Sequence, residues 1–200
     1  MAILSRRSAA ASTRQVNRSA LIRATLELLA APTPFADLTI EQIVRQAGLS
    51  RPTFYTYFQD KRALVLELGA IVHDAVAEAA DPWLSSGQGD VRSTLSAVLD
   101  AFREHRHALA AVVEAAAYDD AVSDFWHAFH DRFRVAAEAR VRAGDPELTS
   151  ERVDARAYTL VWMTERTMTA HLAQPRVDEA ALLDELALAW TNASGARGSD

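Results

Sequence analysis

The residues with the clearest capacity for chemistry lie in the segment SRPTFYTYF at positions 50–58. Phe54 and Phe58 are four positions apart, so on a helix both side chains can face a core. A helix that uses its aromatic residues only for packing explains these two, but not the other polar and aromatic groups. Those groups belong to Arg51, Thr53, Tyr55, Thr56 and Tyr57. Because hydroxyl and guanidinium groups bind phosphate oxygens and base edges, the segment is predicted to contact nucleic acid.

The preceding residues predict the helices that would position this segment. Thr39 and Gln42 have the spacing of a capping box, which starts one helix. Gly48 can adopt the left-handed conformation that ends that helix. Ser50 is expected to cap the next helix, with Pro52 in its first turn, where no backbone N–H is needed. Two short helices joined by a tight turn predict a helix-turn-helix, whose second helix lies in the major groove of DNA.

The stretch from Thr39 to Lys61 resembles the DNA-binding domain of TetR-type transcriptional regulators. The residues that match the family's pattern are Gly48, Leu49, Ser50, Thr53, Phe54, Tyr55, Tyr57, Phe58 and Lys61. Together with WMTERT at positions 162–167, the segment is similar to the EthR-type subgroup, and the resemblance extends over most of the chain. Arg51 and Tyr55 are the candidates for base contacts. The residues expected to contact phosphate or to position the helix are Thr39, Ser50, Pro52, Thr53, Thr56, Tyr57 and Lys61.

Composition limits the class of protein. The 200 residues are half hydrophobic, which suffices for a sizeable core in one large or two modest domains. The chain has no cysteine, so disulfides and thiolate metal sites are excluded. No run approaches the roughly 18 apolar residues of a membrane span, and the first residues lack the apolar core of a signal peptide. A cytoplasmic protein is expected.

The net charge of −6 is divided unevenly along the chain. Residues 1–62 carry nine Lys and Arg against four Asp and Glu, a balance of +5. Residues 63–200 carry twelve against twenty-three, a balance of −11, and the two sums give −6. A basic N-terminal third on an acidic body favours attraction to phosphate at one end of the sequence.

Helical periodicity runs through nearly the whole chain without convincing strand alternation, which predicts an all-α fold of about nine helices. We expect a flexible N-terminal arm at residues 1–12 and a three-helix DNA-binding head at 13–60. A helical ligand-binding and dimerisation body should follow at 61–193, with a flexible tail at 194–200. Asp60 is expected to cap a long helix from Lys61 towards Ala80 that joins head to body. The segment DPWLSSGQGD at 81–90 is predicted to break the helical pattern.

A long helix, predicted from about Asp119 to Ala143, concentrates aromatic residues on one stripe. Taken alone, the stripe is better explained by core packing. The resemblance to the EthR-type subgroup implies instead that this helix and its neighbours line an apolar ligand tunnel. The corresponding lining residues are Val91, Leu95, Val98, Phe102, Trp126, Phe129, Phe133, Val161, Trp162, Thr164 and Met168.

This lining departs from the subgroup at four positions. Val91 and Phe133 stand where the subgroup's namesake has tryptophans, and Val161 and Thr164 replace two asparagines. The subgroup's ligand preference is therefore not transferred. Thr164 could supply a hydrogen bond, and Glu165, one turn from Val161, could reach the mouth of the tunnel.

The last two predicted helices are expected to form a two-fold dimer interface of four helices. The residues assigned to it are Leu160, Met163, Thr167, Leu182, Leu183, Leu186 and Trp190. The alternative is that these faces bury only within the monomer. A single major-groove helix binds DNA weakly, however, whereas a dimer places two recognition helices on two half-sites of the operator.

The sequence offers little for catalysis or metal binding. His127, His130 and Asp131 share a helix with Asp124 at spacings that could hold a divalent metal. They are expected to point away from the aromatic stripe, which favours a solvated polar face. No Gly-rich phosphate loop, G-x-S-x-G elbow or H-E-x-x-H sequence occurs. We therefore expect no catalytic residue, metal, cofactor or enzyme activity.

Together these features predict a homodimeric, ligand-responsive, DNA-binding transcriptional regulator. The simplest form is a repressor that a small lipophilic effector releases from double-stranded operator DNA. The competing interpretation is a helical ligand-binding or enzymatic bundle that has lost DNA binding.

Overall fold

The computed structural model describes residues 2–31, 33–85 and 90–194, with side chains from Thr13 onward. These residues form nine α-helices and no strand, which confirms the all-α prediction. The helices are α1 Ala2–Leu29, α2 Ile40–Ala47, α3 Arg51–Tyr57, α4 Lys61–Leu84, α5 Val91–Glu104, α6 Arg106–Ala116, α7 Asp120–Gly144, α8 Ser150–Ala173 and α9 Glu179–Ala193. A short 3₁₀ helix, Phe35–Asp37, lies between α1 and α2.

The chain forms two compact units. The first comprises Met1–Ala70 and His107–Ser123, and the second comprises Ile71–Arg106 and Asp124–Asp200. The first unit contains the whole predicted helix-turn-helix, together with the start of α4 and nearly all of α6. The functional division at residue 61 stays a prediction.

The first unit is built on a core that joins α1, α2, α3 and the start of α4. Its fully or nearly fully buried members are Leu21, Ile43, Val44, Phe54, Phe58 and Leu64. Burial of each such side chain stabilises the fold by roughly 1.5–3 kcal/mol. Because Phe54 and Phe58 face this core, the opposite side of α3 is turned towards solvent, while Tyr57 packs partly against the core.

The predicted helix-turn-helix forms with its predicted caps. The Thr39 hydroxyl accepts the backbone N–H of Gln42, and the Gln42 side chain accepts the backbone N–H of Thr39. Gly48 ends α2 at φ 66° and ψ 29°, in the left-handed region where a side chain would be strained. The Ser50 hydroxyl then accepts the backbone N–H of Thr53 and starts α3. These local signals confirm both helices.

Two helix boundaries differ from the sequence expectation. α1 begins at Ala2, so its backbone is already helical in the stretch predicted as an arm, where alanines favour a helix. The side chains of residues 1–12 lie outside the described part, as do residues 195–200 of the predicted tail. α4 continues through Pro82 to Leu84, beyond the predicted end at Ala80. Tertiary contacts account for this, because the Trp83 ring packs edge-on against the Trp190 ring and under the Arg140 guanidinium.

In the second unit, α5 packs against α8 and α9, and α8 packs against α9. The buried side chains include Leu99 and Phe102 of α5, Met168 of α8 and Leu186 of α9. These helices, with α7 and the latter part of α4, surround the cavity described below.

Candidate functional site

The solvent-facing side of α3 carries four of the residues predicted to contact DNA. Arg51, Pro52, Tyr55 and Thr56 are exposed, and Tyr55 retains 47% of its accessible surface. Thr53 and Tyr57 are partly buried. An arginine and a tyrosine one turn apart on an exposed helix can reach a phosphate or a base edge.

Arg51 is held by two partners on this surface. Its guanidinium donates to the Tyr55 hydroxyl at 3.2 Å and forms an ion pair with Glu41 of α2. The same guanidinium lies 5.7 Å from the centre of the Tyr55 ring. The hydrogen bond to Tyr55 and the charge of Glu41 raise the pKa of Arg51 above its ordinary value. A DNA phosphate or base would compete with Glu41 for this side chain.

The other predicted DNA-contacting hydroxyls are engaged within the protein. Thr39 and Ser50 cap helices, as described above. Thr56 donates to the carbonyl of Pro52 at 3.2 Å, and the Tyr57 hydroxyl accepts from the Asn17 side chain at 3.3 Å. These contacts are consistent with residues that position α3. Their predicted phosphate contacts stay predictions.

Lys61 occupies a different environment from the one expected near the DNA backbone. Its ammonium donates to the carbonyl oxygens of Phe35, Ala36 and Leu38 at 2.8, 2.8 and 2.6 Å. All three donors of the ammonium are therefore used inside the first unit. Burial lowers the pKa of Lys61, while the charges of Glu114 and Asp37 act in the opposite direction. In this arrangement Lys61 anchors the 3₁₀ helix instead of presenting its charge to phosphate.

Sequence reasoning missed two further ties within the first unit. The Glu114 carboxylate of α6 accepts the backbone N–H groups of Phe35 and Ala36 at 2.8 and 2.9 Å. Arg62, at the start of α4, donates to the Asp119 carboxylate at 2.6 Å. Both interactions join residues more than fifty positions apart in the sequence, and no local sequence pattern predicts them.

The second unit contains a narrow, mostly apolar cavity of about 70 Å³. Eight residues predicted for the ligand tunnel line it: Val91, Leu95, Val98, Phe102, Phe129, Phe133, Val161 and Thr164. Glu165, which was expected to reach the mouth of the tunnel, also lines the cavity. The lining that the sequence did not indicate consists of Val76, Ala80, Trp83, Leu84, Thr94, His130 and Trp190. Val76 and Ala80 belong to the helix predicted to link head and body, whereas Trp83 and Leu84 fall in the segment predicted to break it.

Three residues predicted for the tunnel lie outside this lining. Trp126 is stacked on Phe129 with ring centres 4.8 Å apart, and Met168 is fully buried in the core. Trp162 lies parallel to the His130 ring at 3.8 Å. These side chains form a second layer behind the cavity wall. Trp126 packs on Phe129 and Trp162 packs on His130, and both of those partners line the cavity.

His130 corrects the expectation of a solvated polar face on α7. It is only 2% exposed and lines the cavity, with its ring against Trp162. The spacing contained the signal, since His130 is four positions from Trp126 and three from Phe133, which makes it a neighbour of the aromatic stripe. Within the described residues, no group of His, Asp and Glu has a geometry that could hold a metal ion.

Polar groups gather on the cavity wall formed by α7, α8 and α9. The Trp190 indole donates to the Thr164 hydroxyl at 2.8 Å, in a buried contact. Nε2 of His130 lies 3.5 Å from a carboxylate oxygen of Glu165, whose side chain is 8% exposed. Trp190 was predicted for a dimer interface, but it is buried within the monomer and faces the cavity.

The other residues predicted for the dimer interface divide into two sets. Leu160, Leu183 and Leu186 are buried within the single chain, because α5, α8 and α9 cover them. Met163, Thr167 and Leu182 are partly exposed. On the same two helices, Tyr158 and Leu188 are more than half exposed.

No helix in the described part of the chain is long and apolar enough to cross a membrane.

Comparison with known families identifies two matching regions. The model of the tetR family of bacterial regulatory proteins matches residues 21–68. The model of the C-terminal domain of transcriptional regulator EthR matches residues 91–194. The two matches coincide with the helix-turn-helix and with the helices that surround the cavity.

Similar proteins extend the match to most of the chain. The HTH-type transcriptional regulator EthR of Mycobacterium tuberculosis H37Rv is 31% identical over 186 residues, covering 87% of this chain and 85% of the relative. The EthR of Mycolicibacterium smegmatis is 30% identical over 191 residues, covering 88% and 85%.

Solved structures share the fold at lower identity. NalD, the secondary repressor of the MexAB-OprM multidrug efflux pump in Pseudomonas aeruginosa, has a TM-score of 0.67 at 21% identity, covering 91% of this chain and 97% of its own. A tetR-family regulator from Streptomyces coelicolor has a TM-score of 0.65 at 23% identity, covering 90% and 82%.

Proposed function

Since this chain belongs to the TetR family, with a C-terminal domain of the EthR type, and is a DNA-binding transcriptional regulator, we propose that it is a repressor released from its operator by a small apolar effector. The effector would bind the cavity between α4, α5, α7, α8 and α9. The single observation that carries the proposal is this cavity, because its wall is mostly apolar and all of its lining residues belong to the second unit, whereas α3 belongs to the first.

The size of the cavity restricts how an effector enters. Ligand pockets for drug-sized molecules occupy about 300–1,000 Å³, several times the space in this structure. An effector must therefore widen the cavity by moving aromatic side chains such as Phe129 and Phe133. An effector that binds the widened state in preference shifts the population towards it. If that state has lower affinity for the operator, binding of effector and of DNA are reciprocally coupled.

The proposed DNA contacts centre on Arg51 and Tyr55. Both are exposed on α3, and their mutual hydrogen bond holds the guanidinium over the solvent-facing side of the helix. Ser50, Thr39, Thr53, Thr56 and Tyr57 would position α3 against the backbone. Lys61 would act on DNA indirectly, by fixing the 3₁₀ helix that precedes α2.

The proposed active form is a homodimer through α8 and α9. Among the residues predicted for the interface, those that are still partly exposed in the single chain are Met163, Thr167 and Leu182. The exposed side chains of Tyr158 and Leu188 would add to the surface that a partner buries. Tyr158 and Leu188 are large apolar side chains whose exposure favours a partner surface. The buried leucines of the prediction would support this patch from within the monomer.

An electrophoretic mobility shift with DNA from upstream of the chain's own gene tests the proposal. Arg51→Ala should weaken specific binding about tenfold or more, since a bidentate or phosphate contact contributes roughly 1–3 kcal/mol. Arg152→Ala removes an exposed arginine from the second unit and should leave binding unchanged. Equal binding by Arg51→Ala and the native chain would overturn the assignment of α3 contacts. Absence of DNA binding by the native chain would favour a bundle that has lost this activity.

A further inference from the structure

The polar part of the cavity wall contains two buried groups that do not satisfy one another. His130 is 2% exposed and Glu165 is 7% exposed, and both line the cavity. Nδ1 of His130 lies 2.7 Å from the carbonyl oxygen of Trp126. A carbonyl oxygen can only accept, so Nδ1 must carry the proton of this hydrogen bond.

The position of that proton fixes the character of the other ring nitrogen. In the neutral imidazole, Nε2 is then an acceptor, and it has no hydrogen-bond partner within the described part of the chain. The nearest charged group is the Glu165 carboxylate, 3.5 Å away, which is also an acceptor when ionised. Two acceptors therefore face the same space in a buried setting.

An internal proton does not resolve this arrangement well. A proton shared between Nε2 and the carboxylate would form a charge-assisted hydrogen bond, and such bonds are 2.7–2.9 Å long, not 3.5 Å. The ring cannot easily turn to shorten the distance, because Trp162 lies parallel to it at 3.8 Å and Nδ1 is tied to Trp126. Leaving a buried acceptor without a donor is costly. The site is thus built for a donor that comes from outside the protein.

The rest of the lining leaves these two groups as the charged end of an apolar site. His130 and Glu165 are the titratable side chains among the described lining residues. Thr164 already accepts the indole N–H of Trp190. The remaining wall is apolar or aromatic, apart from Thr94 near the start of α5. A ligand with an apolar body and one donor-rich end matches this distribution.

We propose that the effector of this protein is an apolar molecule that ends in a protonated amine, with one N–H donated to Glu165 and another to Nε2 of His130. The inference rests on the proposed function, since it takes the cavity to be the effector site. A protonated primary or secondary amine has at least two N–H donors, so it satisfies both acceptors at once. Its charge also compensates the buried carboxylate, which an alcohol cannot do. The Phe129 ring, whose centre lies 5.4 Å from that of the His130 ring, offers further stabilisation of a cation.

Three probes with the same apolar chain test the head group directly: octylamine, 1-octanol and octanoate. Binding to the full-length native protein at pH 7 is measured by isothermal titration calorimetry. Octylamine should bind about tenfold or more tightly than 1-octanol, since hydrogen bonds to charged groups contribute roughly 1.5–3 kcal/mol. Octanoate should bind most weakly, because its carboxylate is repelled by the carboxylate of Glu165. This comparison needs no variant and so does not depend on a mutant that folds.

Variants then assign the preference to Glu165. Glu165→Gln should reduce the ratio of octylamine affinity to 1-octanol affinity to about threefold or less, because the neutral amide no longer favours a cation. Glu147→Gln, the same change at an exposed position outside the cavity, should preserve the advantage. A Glu165→Gln protein that still prefers octylamine as strongly as the native chain would overturn the role of this carboxylate.

The outcomes separate the inference from the function on which it rests. If octylamine and 1-octanol bind equally, the amine is not recognised, but the apolar effector site stands. If octanoate binds most tightly, the site receives an anion through a protonated His130, and the inference is overturned. If none of the three binds, both the inference and the apolar effector site fail. If 1-octanol binds without altering the mobility shift, the cavity binds ligands but the proposed release from DNA fails.

Discussion

The Glu114 carboxylate accepts the backbone N–H of Phe35 at 2.8 Å, although the two residues are 79 positions apart in the chain. The other carboxylate oxygen accepts the N–H of Ala36 at 2.9 Å. The Lys61 ammonium donates hydrogen bonds to the carbonyl oxygens of these same two residues. The 3₁₀ helix before the helix-turn-helix is therefore held at its N–H groups by α6 and at its carbonyl groups by α4.

Replacing Glu114 should destabilise the first unit. Glu114→Ala removes both acceptors, and hydrogen bonds to charged groups contribute about 1.5–3 kcal/mol each, with less expected where water can substitute. We expect the free energy of unfolding in urea to fall by about 2 kcal/mol. Glu114→Gln keeps one acceptor and should lose less. Glu147→Ala, the same change at an exposed position, is the matched control, and an equal loss in it would contradict the role of Glu114.

Glu41 should restrain DNA binding through its ion pair with Arg51. Glu41→Gln frees the guanidinium and removes a negative charge from the surface that would face phosphate. Exposed ion pairs contribute about 0–1 kcal/mol, so operator affinity should rise by a few-fold. The measurement is a mobility shift at two salt concentrations. In an Arg51→Ala background the gain should shrink to the part due to charge repulsion, and an undiminished gain would show that the ion pair is not the cause.

The ion pair between Arg62 and Asp119 should give a pH-dependent contribution to stability. The hydrogen bond from Arg62 lowers the pKa of Asp119 below its ordinary value, with support from the backbone N–H groups at the start of α7. A carboxyl whose pKa is lower in the folded state stabilises the fold above its unfolded pKa, about 3.9, and loses this contribution as pH falls through the folded value.

Asp119→Asn isolates this effect. Asparagine retains the helix cap but cannot pair with Arg62 as a charge. The difference in unfolding free energy between native and variant protein should be constant from pH 7 to about pH 5. It should then diminish below about pH 4. A difference that stays constant down to pH 3 would refute the ionic origin of the contribution.

The buried hydrogen bond from Trp190 to Thr164 should be costly to break. Thr164→Val preserves the shape of the side chain but leaves the indole N–H without its acceptor, at about 1–3 kcal/mol. Trp190→Phe removes the donor, and the double variant should be less destabilised than the sum of the two single variants. The measurement is a double-mutant cycle of unfolding free energies. Additive losses would mean that the contact contributes nothing specific.

The helix-turn-helix could be predicted in detail because its signals are local. The capping box at Thr39, the left-handed Gly48 and the cap at Ser50 each act within four residues of sequence. The positions of Phe54 and Phe58 likewise follow from helical spacing, and both are buried as expected. Helical periodicity also indicated an all-α fold, since a period of 3.6 residues is a property of each segment by itself.

The cavity wall could be predicted only in part. Most of the apolar lining follows from the family resemblance and the aromatic stripe, but His130 was expected to face solvent and Trp190 to face a partner chain. Both are buried because a second helix covers them: Trp162 lies on His130, and Trp83 packs against Trp190. A helical wheel describes one helix and carries no information on which other helix lies against its flank.

Lys61 shows that the hydrogen-bond partners of a polar side chain likewise cannot be predicted from a local pattern. Its place in the family pattern predicts a charge near DNA, whereas its ammonium is bound by three carbonyl oxygens. Sequence by itself determined the helices, their caps and the exposed face of α3, because these depend on interactions within a few residues. Only the tertiary structure decided which polar groups are already satisfied and which, such as Nε2 of His130, are buried without a partner in the described chain. Satisfaction of a buried polar group depends on atoms that the chain brings together from distant positions, so no local pattern encodes it.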